Sequence, residues 1–195
     1  MKSGNRDNGI AGQDETIAGR LDAVKARIER ACVDSGRDPL GVRLVVVSKN
    51  FGPEEVAEAI NAGAEIIGES RVQEAEAKMP LCPGGARWHM IGHLQRNKVA
   101  RAVDIFDMIH SVDSLKLLMA VESACESAGK SMPVCIEVNT SGESSKFGLP
   151  PEDLPAIINE SMGLTRVSVV GLMTIPPFDA DPERARPFFS RLREM

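Results

Sequence analysis

Hydrophobic residues in this chain form short β-branched runs that alternate with stretches of helical periodicity. The clearest run is VRLVVVS at residues 42–48, between a Pro-Leu-Gly segment and a Gly-Pro pair, which is typical of a buried strand. It is followed by PEEVAEAINAG at residues 53–63, which begins with proline and two acids and ends on glycine, as helix ends favour. The pattern therefore predicts a strand and then a short helix.

This strand-then-helix unit recurs five more times. The further strands are predicted at residues 64–67, 87–91, 106–111, 134–139 and 166–172, and the helices that follow them at 71–78, 95–103, 114–128, 151–161 and 182–195. One more helix, at residues 15–35, precedes the first strand, because Ile17, Leu21, Val24 and Ile28 recur at helical spacing. The polar composition of residues 1–14 predicts a flexible tail. Residues 15–195 are predicted to form a single domain.

Strands that alternate with helices predict a parallel sheet covered by helices, the α/β class. Six units leave two architectures open, since a closed (β/α)₈ TIM barrel needs eight strands. The chain forms either an open six-stranded sheet or an incomplete barrel. The last predicted helix has no Gly or Asn stop signal in its final turn. We therefore favour a barrel domain that is incomplete at its C-terminus.

Charge and hydropathy exclude several classes of function. The 28 acidic and 23 basic side chains give a net charge of −5, and a nucleic-acid-binding protein would be expected to carry a basic excess. The longest apolar run covers only the five residues 117–121, far short of the roughly 20 residues that cross a bilayer. The polar N-terminus lacks a signal-peptide core. We expect a cytoplasmic protein that binds neither membranes nor nucleic acid.

The first candidate for chemistry is Lys49, which follows the first predicted strand at the end where parallel α/β folds place their sites. Strand alternation puts it on the same face as Val45 and Val47. Partial desolvation there would favour the neutral amine, which can attack a carbonyl as a Schiff-base nucleophile. The alternative is a solvated lysine in the loop after the strand.

Other polar side chains lie at or next to the ends of later strands, so a sheet or barrel would gather them at one mouth. They are His89, Ser111, Asn139 and Met173 with its neighbour Thr174. A metal site at His89 and His93 is not expected, because Gly92 lies between them in a predicted turn. The polar loop at 139–149 contains one cation, Lys146, which could contact a phosphate or a partner subunit. The alternative is that this segment is a mobile surface loop.

Five blocks of sequence together closely resemble the pyridoxal phosphate homeostasis proteins, the YggS/PROSC family. These blocks are VSK at 47–49, IGESRVQE at 67–74, WHMIGHLQRNK at 88–98, EVN with ESSKFG at 137–139 and 143–148, and GLMTIP at 171–176. In that family they occur in this order. The resemblance covers about residues 19–195, and the block at 88–98 is highly specific.

The resemblance implies an alanine-racemase-like (β/α)₈ barrel, of which this chain has about six βα units. It implies that pyridoxal 5′-phosphate (PLP) is held as an internal aldimine on Lys49, in a pocket lined by Ser70, His89, Ser111, Asn139 and Met173. The implied role is intracellular PLP homeostasis without established turnover, with apo PLP-dependent enzymes as possible recipients. We expect a monomer.

Two departures from the family pattern bear on that expectation. Ser70 stands where the family usually has asparagine, so a hydroxyl replaces an amide near the cofactor. The family's phosphate-binding segment, an S-M-G-M-S block followed by a V-R-x-G stretch, is absent from these 195 residues. Barrels often bind phosphate in the loops after strands seven and eight, so the chain as given is expected to bind PLP weakly or to fold poorly alone.

Two other functions remain as alternatives. A PLP-dependent racemase on the same barrel would need a second base, which in alanine racemases is a tyrosine from a second domain, and this chain has no tyrosine. A Schiff-base aldolase or lyase without PLP would need an acid-base partner near Lys49, and Glu69 is the candidate for that role.

Overall fold

The computed structural model describes residues 16–143 and 145–195. They cluster into two compact units, the first comprising residues 16–68 and 77–87, and the second residues 69–76 and 88–195. The predicted tail at 1–14 lies outside the described residues. Whether the chain acts as one domain stays a prediction.

The first unit contains two helices and two strands that alternate along the chain. Helix α1 (Ile17–Asp34) is followed by a 3-10 turn at Pro39–Gly41, strand β1 (Val46–Val47), helix α2 (Pro53–Asn61) and strand β2 (Ile66–Glu69), whose last residue belongs to the second unit. β1 pairs parallel with β2, with Val46 opposite Ile67 and Val47 opposite Gly68. The predicted strand-then-helix order is confirmed here.

Strand β1 is much shorter than the predicted 42–48. A strand exists only where a neighbour offers hydrogen-bonding groups in register, and β2 offers four residues, of which Ile67 and Gly68 pair with β1. Residues 42–45 have the composition of a strand, but the pairing of β1 with β2 does not include them. The β-branched pattern therefore identified the strand correctly and overestimated its length.

The second unit carries four further strands. Helix α3 (Val72–Lys78) begins in it and ends in the first unit, which also holds a 3-10 turn at Met79–Leu81. The remaining elements are β3 (Arg87–Met90), α4 (Val99–Ile105), β4 (Met108–Val112), α5 (Leu115–Ala128), β5 (Met132–Glu137), α6 (Leu154–Ser161), β6 (Val167–Met173) and α7 (Arg186–Glu194). All predicted strands and helices are present, within a few residues of their expected bounds.

Three predicted helices begin with a short 3-10 segment instead of an α-helical turn. These segments are Arg96–Lys98 before α4, Pro151–Asp153 before α6 and Pro182–Ala185 before α7. Tighter 3-10 turns are frequent at helix N-termini, and the latter two start with proline, whose fixed φ suits a first helical position.

Parallel pairing joins β3 to β4, β4 to β5 and β5 to β6. Irregularities interrupt the register in β4 between Ile109 and Val112, and in the β5–β6 pair after Val134. Ile109, Val134 and Ile136 are fully buried, and burying an aliphatic side chain of this size contributes about 1.5–3 kcal/mol. These strands form the apolar centre of the second unit.

Helix α5 shows how local sequence sets an element's limits. The Ser114 hydroxyl accepts the backbone N–H of Leu117 and caps the N-terminus, while Gly129 ends the helix in the left-handed conformation at φ 66°. Buried residues recur at helical spacing along one face, and they are Leu117, Leu118, Val121 and Cys125.

Candidate functional site

Lys49 lies in the first unit, in the turn that connects β1 to α2. The Phe51 N–H donates to the Ser48 carbonyl at 3.1 Å, so Lys49 occupies the second position of a four-residue turn. Asn50 takes the third position with φ 70°, the left-handed conformation that type II turns require there and that asparagine tolerates. Local sequence thus places the Lys49 amine just beyond the carboxyl end of β1.

The expectation that Lys49 is partly desolvated is wrong. Its side chain is exposed, and Val47, which alternation put on the same face, is itself 43% exposed. Lys49 lies in a turn, past the last paired residue of β1, so strand alternation does not extend to it. The solvated lysine of the loop, the alternative considered above, is what the structure shows.

The strand register of the second unit places three polar or polarisable side chains on one face. Cross-strand partners share a face, and successive residues alternate between faces. His89 pairs with Met108, Ile109 with Val134, and Glu137 with Met173. It follows that His89, Glu137 and Met173 lie on the same face, which is opposite to the face of Ile109 and Val134.

His89 is 5% exposed and lies against a second histidine. Its Nδ1 is 2.9 Å from Nε2 of His110, and the ring centroids are 5.0 Å apart. His110 follows Ile109 and so belongs to the same face as His89. Burial lowers the pKa of His110 below its ordinary value. The pair therefore favours a neutral hydrogen-bonded state over two imidazolium rings.

Glu137 ends β5 and is 5% exposed. Burial raises the pKa of Glu137 to about 7, and the nearby charge of Asp113 acts in the same direction. A carboxyl group with that pKa exchanges a proton near neutral pH, as general acids and bases in enzyme sites do. Buried structural carboxyls also show such shifts.

Ser70 and Ser111 both lie against Gly92, in the loop after β3. A methyl group at Gly92 would be 2.5 Å from the Ser70 carbonyl oxygen, so only glycine allows this close approach. Ser111 is fully buried, and its hydroxyl donates to the Gly92 carbonyl at 2.6 Å. Both serines therefore contact the β3–α4 loop at Gly92.

Asn139, just after β5, uses its side chain to shape the polar loop that follows. Its Nδ2 donates to the Glu143 carbonyl at 2.9 Å, and its Oδ1 accepts the Ser141 hydroxyl at 2.9 Å and the Gly142 N–H at 3.0 Å. Met173 ends β6, and its carbonyl accepts the Val138 N–H at 2.8 Å. Both residues are half-buried at the carboxyl ends of their strands.

An aromatic contact joins the polar loop to the loop after β3, and His93 of the latter loop also contacts Asp113, which follows β4. Phe147 stacks on His93 with centroids 3.8 Å apart, and His93 Nδ1 is 3.1 Å from Asp113 Oδ2. The Nζ atom of Lys146 is buried and has no hydrogen-bond partner. It lies 3.5 Å from Glu143 Oε1. In the described part of the second unit, this loop thus contributes one cation of low accessibility.

Two of these residues were not among those predicted for the site. Glu137 could have been noticed as the only acidic or basic residue in the otherwise apolar strand β5, MPVCIE. His110 gave no comparable signal, because its contact with His89 depends on the register of β3 against β4 and on the irregularity in β4.

Comparison with known proteins determines the family. The model of the alanine racemase N-terminal domain matches residues 20–195. The pyridoxal phosphate homeostasis protein of Aquifex aeolicus is 38% identical over 177 residues, which cover 90% of this chain and 78% of the relative. That of Pseudomonas aeruginosa is 39% identical over 181 residues, with 92% and 79% covered. The chain belongs to the pyridoxal phosphate homeostasis protein family.

Solved structures agree with this membership of the pyridoxal phosphate homeostasis protein family. PipY of Synechococcus elongatus, solved with PLP bound, is 34% identical with a TM-score of 0.78, covering 92% of this chain and 79% of that one. Alanine racemase of Clostridium difficile is 14% identical with a TM-score of 0.65, over 78% of this chain and 41% of that one. The latter shows the fold alone, and the predicted alanine-racemase type of α/β fold is confirmed.

No helix in the described ranges is long and apolar enough to span a bilayer. The relatives share a name that refers to homeostasis of PLP and not to a reaction.

Proposed function

We propose that this chain binds PLP in the service of intracellular PLP homeostasis and holds it as a Schiff base on Lys49. The observation that carries the proposal is the exposed primary amine of Lys49 in the turn after β1, in a chain of this family. A relative with 34% identity has been solved with PLP bound. The cytoplasmic location and monomeric state expected from the sequence belong to the same proposal.

The residues present suit PLP in their chemistry. Bound PLP contributes an aldehyde, which condenses with a primary amine, and Lys49 offers that amine to solvent. His89 and Met173 contribute a ring and a thioether on one face of the second unit. The Lys146 amine is buried without a hydrogen bond. It is a suitable hydrogen-bond donor for an anionic group.

We assign the other predicted pocket residues a role in shaping the pocket. The hydroxyl of Ser111 and the amide of Asn139 already bond to backbone groups of the loops, so their contribution to binding is to hold those loops in place. Ser70 is half-buried against Gly92. Its substitution is expected to affect PLP affinity through this close packing.

The proposal includes no catalytic turnover by this chain. Racemisation needs an acid-base group on each side of the reacting carbon. The tyrosine that serves this purpose in alanine racemases has no counterpart, since the chain contains no tyrosine. In the alternative of a racemase-like enzyme, Glu137 is the described residue best suited to act as an acid-base group, because its pKa is about 7.

Lys49→Ala tests the covalent link. PLP is added to this chain, the imine absorbance is recorded, and borohydride reduction is followed by peptide mass analysis. We expect the absorbance and the reduced adduct to disappear in Lys49→Ala and to persist in the control Lys116→Ala, which removes an exposed lysine of α5, because no other group replaces a covalent nucleophile. An adduct retained on another lysine in Lys49→Ala would contradict the assignment.

Exchange experiments separate a carrier from an enzyme. The PLP-loaded protein should restore activity to an apo PLP-dependent enzyme, and apo enzymes are the recipients that we propose. It should not exchange the α-proton of alanine or other common amino acids for deuterium faster than free PLP. Faster exchange that is lost in both Lys49→Ala and Glu137→Gln would support the racemase-like alternative.

A further inference from the structure

Lys78, at the end of α3, is the one lysine or arginine that is buried among the described residues, with 5% of its surface exposed. Its Nζ donates to the Ser48 carbonyl at 2.9 Å. Burying a charged amine costs free energy unless hydrogen bonds compensate for its lost hydration. The hydrogen bond to the Ser48 carbonyl therefore compensates for part of the lost hydration of this amine.

The acceptor of this bond belongs to the turn that carries Lys49. The Ser48 carbonyl receives the Lys78 amine and also the Phe51 N–H at 3.1 Å, and the latter bond closes the turn. Because Asn50 has φ 70°, the turn contains one residue in a conformation that costs free energy outside glycine. The second bond to the Ser48 carbonyl, which comes from the Lys78 amine, counteracts that cost.

A further contact holds the other end of the same connection. The Cys82 thiol lies 3.8 Å from the Pro53 carbonyl, at the first residue of α2. The segment from Lys78 to Cys82 thus contacts both ends of the β1–α2 loop, and all of these residues lie in the first unit.

We propose that Lys78 is a positioning residue for Lys49, which holds the turn so that the Lys49 amine is presented in one orientation. Its effect on PLP rests on the function proposed above, whereas its effect on the turn does not. Pre-organising a nucleophile lowers the entropic cost of forming its bond. Nothing in this role requires Lys78 to touch PLP.

The test compares Lys78→Met, which keeps an apolar stem of similar length, with Lys25→Met. Lys25 is a matched control, since its Nζ donates to the Gly63 carbonyl at 3.1 Å in the same unit, away from the turn. Two properties are measured: hydrogen exchange of the peptide covering residues 48–52, relative to the peptide of α5, and the apparent dissociation constant of the imine formed with PLP. Lys78→Arg tests whether another cationic donor restores both.

In Lys78→Met we expect faster exchange at residues 48–52 and about tenfold weaker imine formation, the effect of losing one hydrogen bond from a charged donor. Lys25→Met should change neither, and Lys78→Arg should recover part of each. If Lys78→Met does not fold, Lys78→Gln, which is too short to keep the same bond, takes its place.

Unchanged exchange at residues 48–52 in a folded Lys78 variant would overturn the proposal. So would faster exchange with undiminished imine formation on Lys49, because the turn would then be held without consequence for the amine. If the wild-type chain forms no imine that depends on Lys49, the proposed function fails, and the exchange data alone decide whether Lys78 holds the turn. A borohydride-trapped adduct on Lys78 would also overturn its role as a positioning residue.

Discussion

His89 and His110 lie 2.9 Å apart, from Nδ1 to Nε2, on neighbouring strands of the second unit. An imidazolium has no acceptor nitrogen, so at least one ring must be neutral for this bond to exist. Burial lowers the pKa of His110 and thereby favours the neutral form. The neutral form that burial favours at His110 is thus compatible with this bond.

The histidine pair predicts a loss of stability at mildly acidic pH. Below the ordinary histidine pKa of about 6.5, the unfolded chain takes up a proton at His110 that the folded chain resists, so the free energy of unfolding falls as pH decreases. His110→Phe removes this contribution. We expect the urea midpoint of wild type to fall more than that of His110→Phe between pH 7 and pH 5, and parallel curves would contradict the prediction.

Glu137 predicts the opposite pH dependence. With its pKa raised to about 7 from an ordinary value of about 4.3, the folded chain keeps a proton that the unfolded chain releases. Its contribution to stability is therefore present below about pH 4 and is lost as pH rises through 7. Glu137→Gln should gain about 3 kcal/mol relative to wild type between pH 4 and pH 8, at about 1.4 kcal/mol per pKa unit.

Chemical denaturation over this pH range measures the effect of Glu137→Gln. Glu160→Gln, at an exposed position, controls for the loss of a surface carboxylate. A stability difference from wild type that stays constant with pH would show that Glu137 titrates as an ordinary carboxyl group.

Gly92→Ala should destabilise the second unit and displace Ser70. The added methyl group would lie 2.5 Å from the Ser70 carbonyl oxygen and 2.7 Å from its Cα, so backbone must move, at a cost of about 1–3 kcal/mol. Gly84→Ala is the control, because nothing lies within 4 Å of the methyl group it introduces. Thermal unfolding compares the two, and equal midpoints would refute the close packing.

Glu122 predicts a stability effect that depends on its charge. Its carboxylate accepts the backbone N–H groups of Thr165, Arg166 and Val167 at the start of β6. Burial alone would raise the pKa of Glu122, but these bonds and the Thr165 hydroxyl outweigh it and lower the pKa. The stabilisation is thus present above the ordinary carboxyl pKa and is lost as pH falls below it.

We expect Glu122→Gln to destabilise the protein by about 1 kcal/mol at pH 7, because a neutral acceptor makes weaker bonds than a charged one. The difference should shrink as pH falls below the ordinary carboxyl pKa and the wild-type carboxylate takes up its proton. Glu126→Gln, four residues later on the exposed side of α5, should have no such effect. An equal loss in both variants would indicate a general charge effect.

The sequence by itself determined the order of the elements and the family. Helix limits could be predicted where the controlling groups are local, as with Ser114 and Gly129 at the two ends of α5, because caps act over three or four residues. The position of Lys49 at the end of β1 followed from the same local pattern. The five sequence blocks indicated the pyridoxal phosphate homeostasis protein family, and the comparisons confirmed it.

Only the tertiary structure decided what depends on residues distant in the chain. β1 is two residues long because pairing with β2 limits it, and Lys49 is exposed because the turn removes it from the strand's alternation. The contact between His89 and His110 depends on strand register, and the pKa of Glu137 on burial and on Asp113. Lys78 reaches Ser48 across thirty positions of sequence. Such contacts are set by packing, which no local pattern of residues encodes.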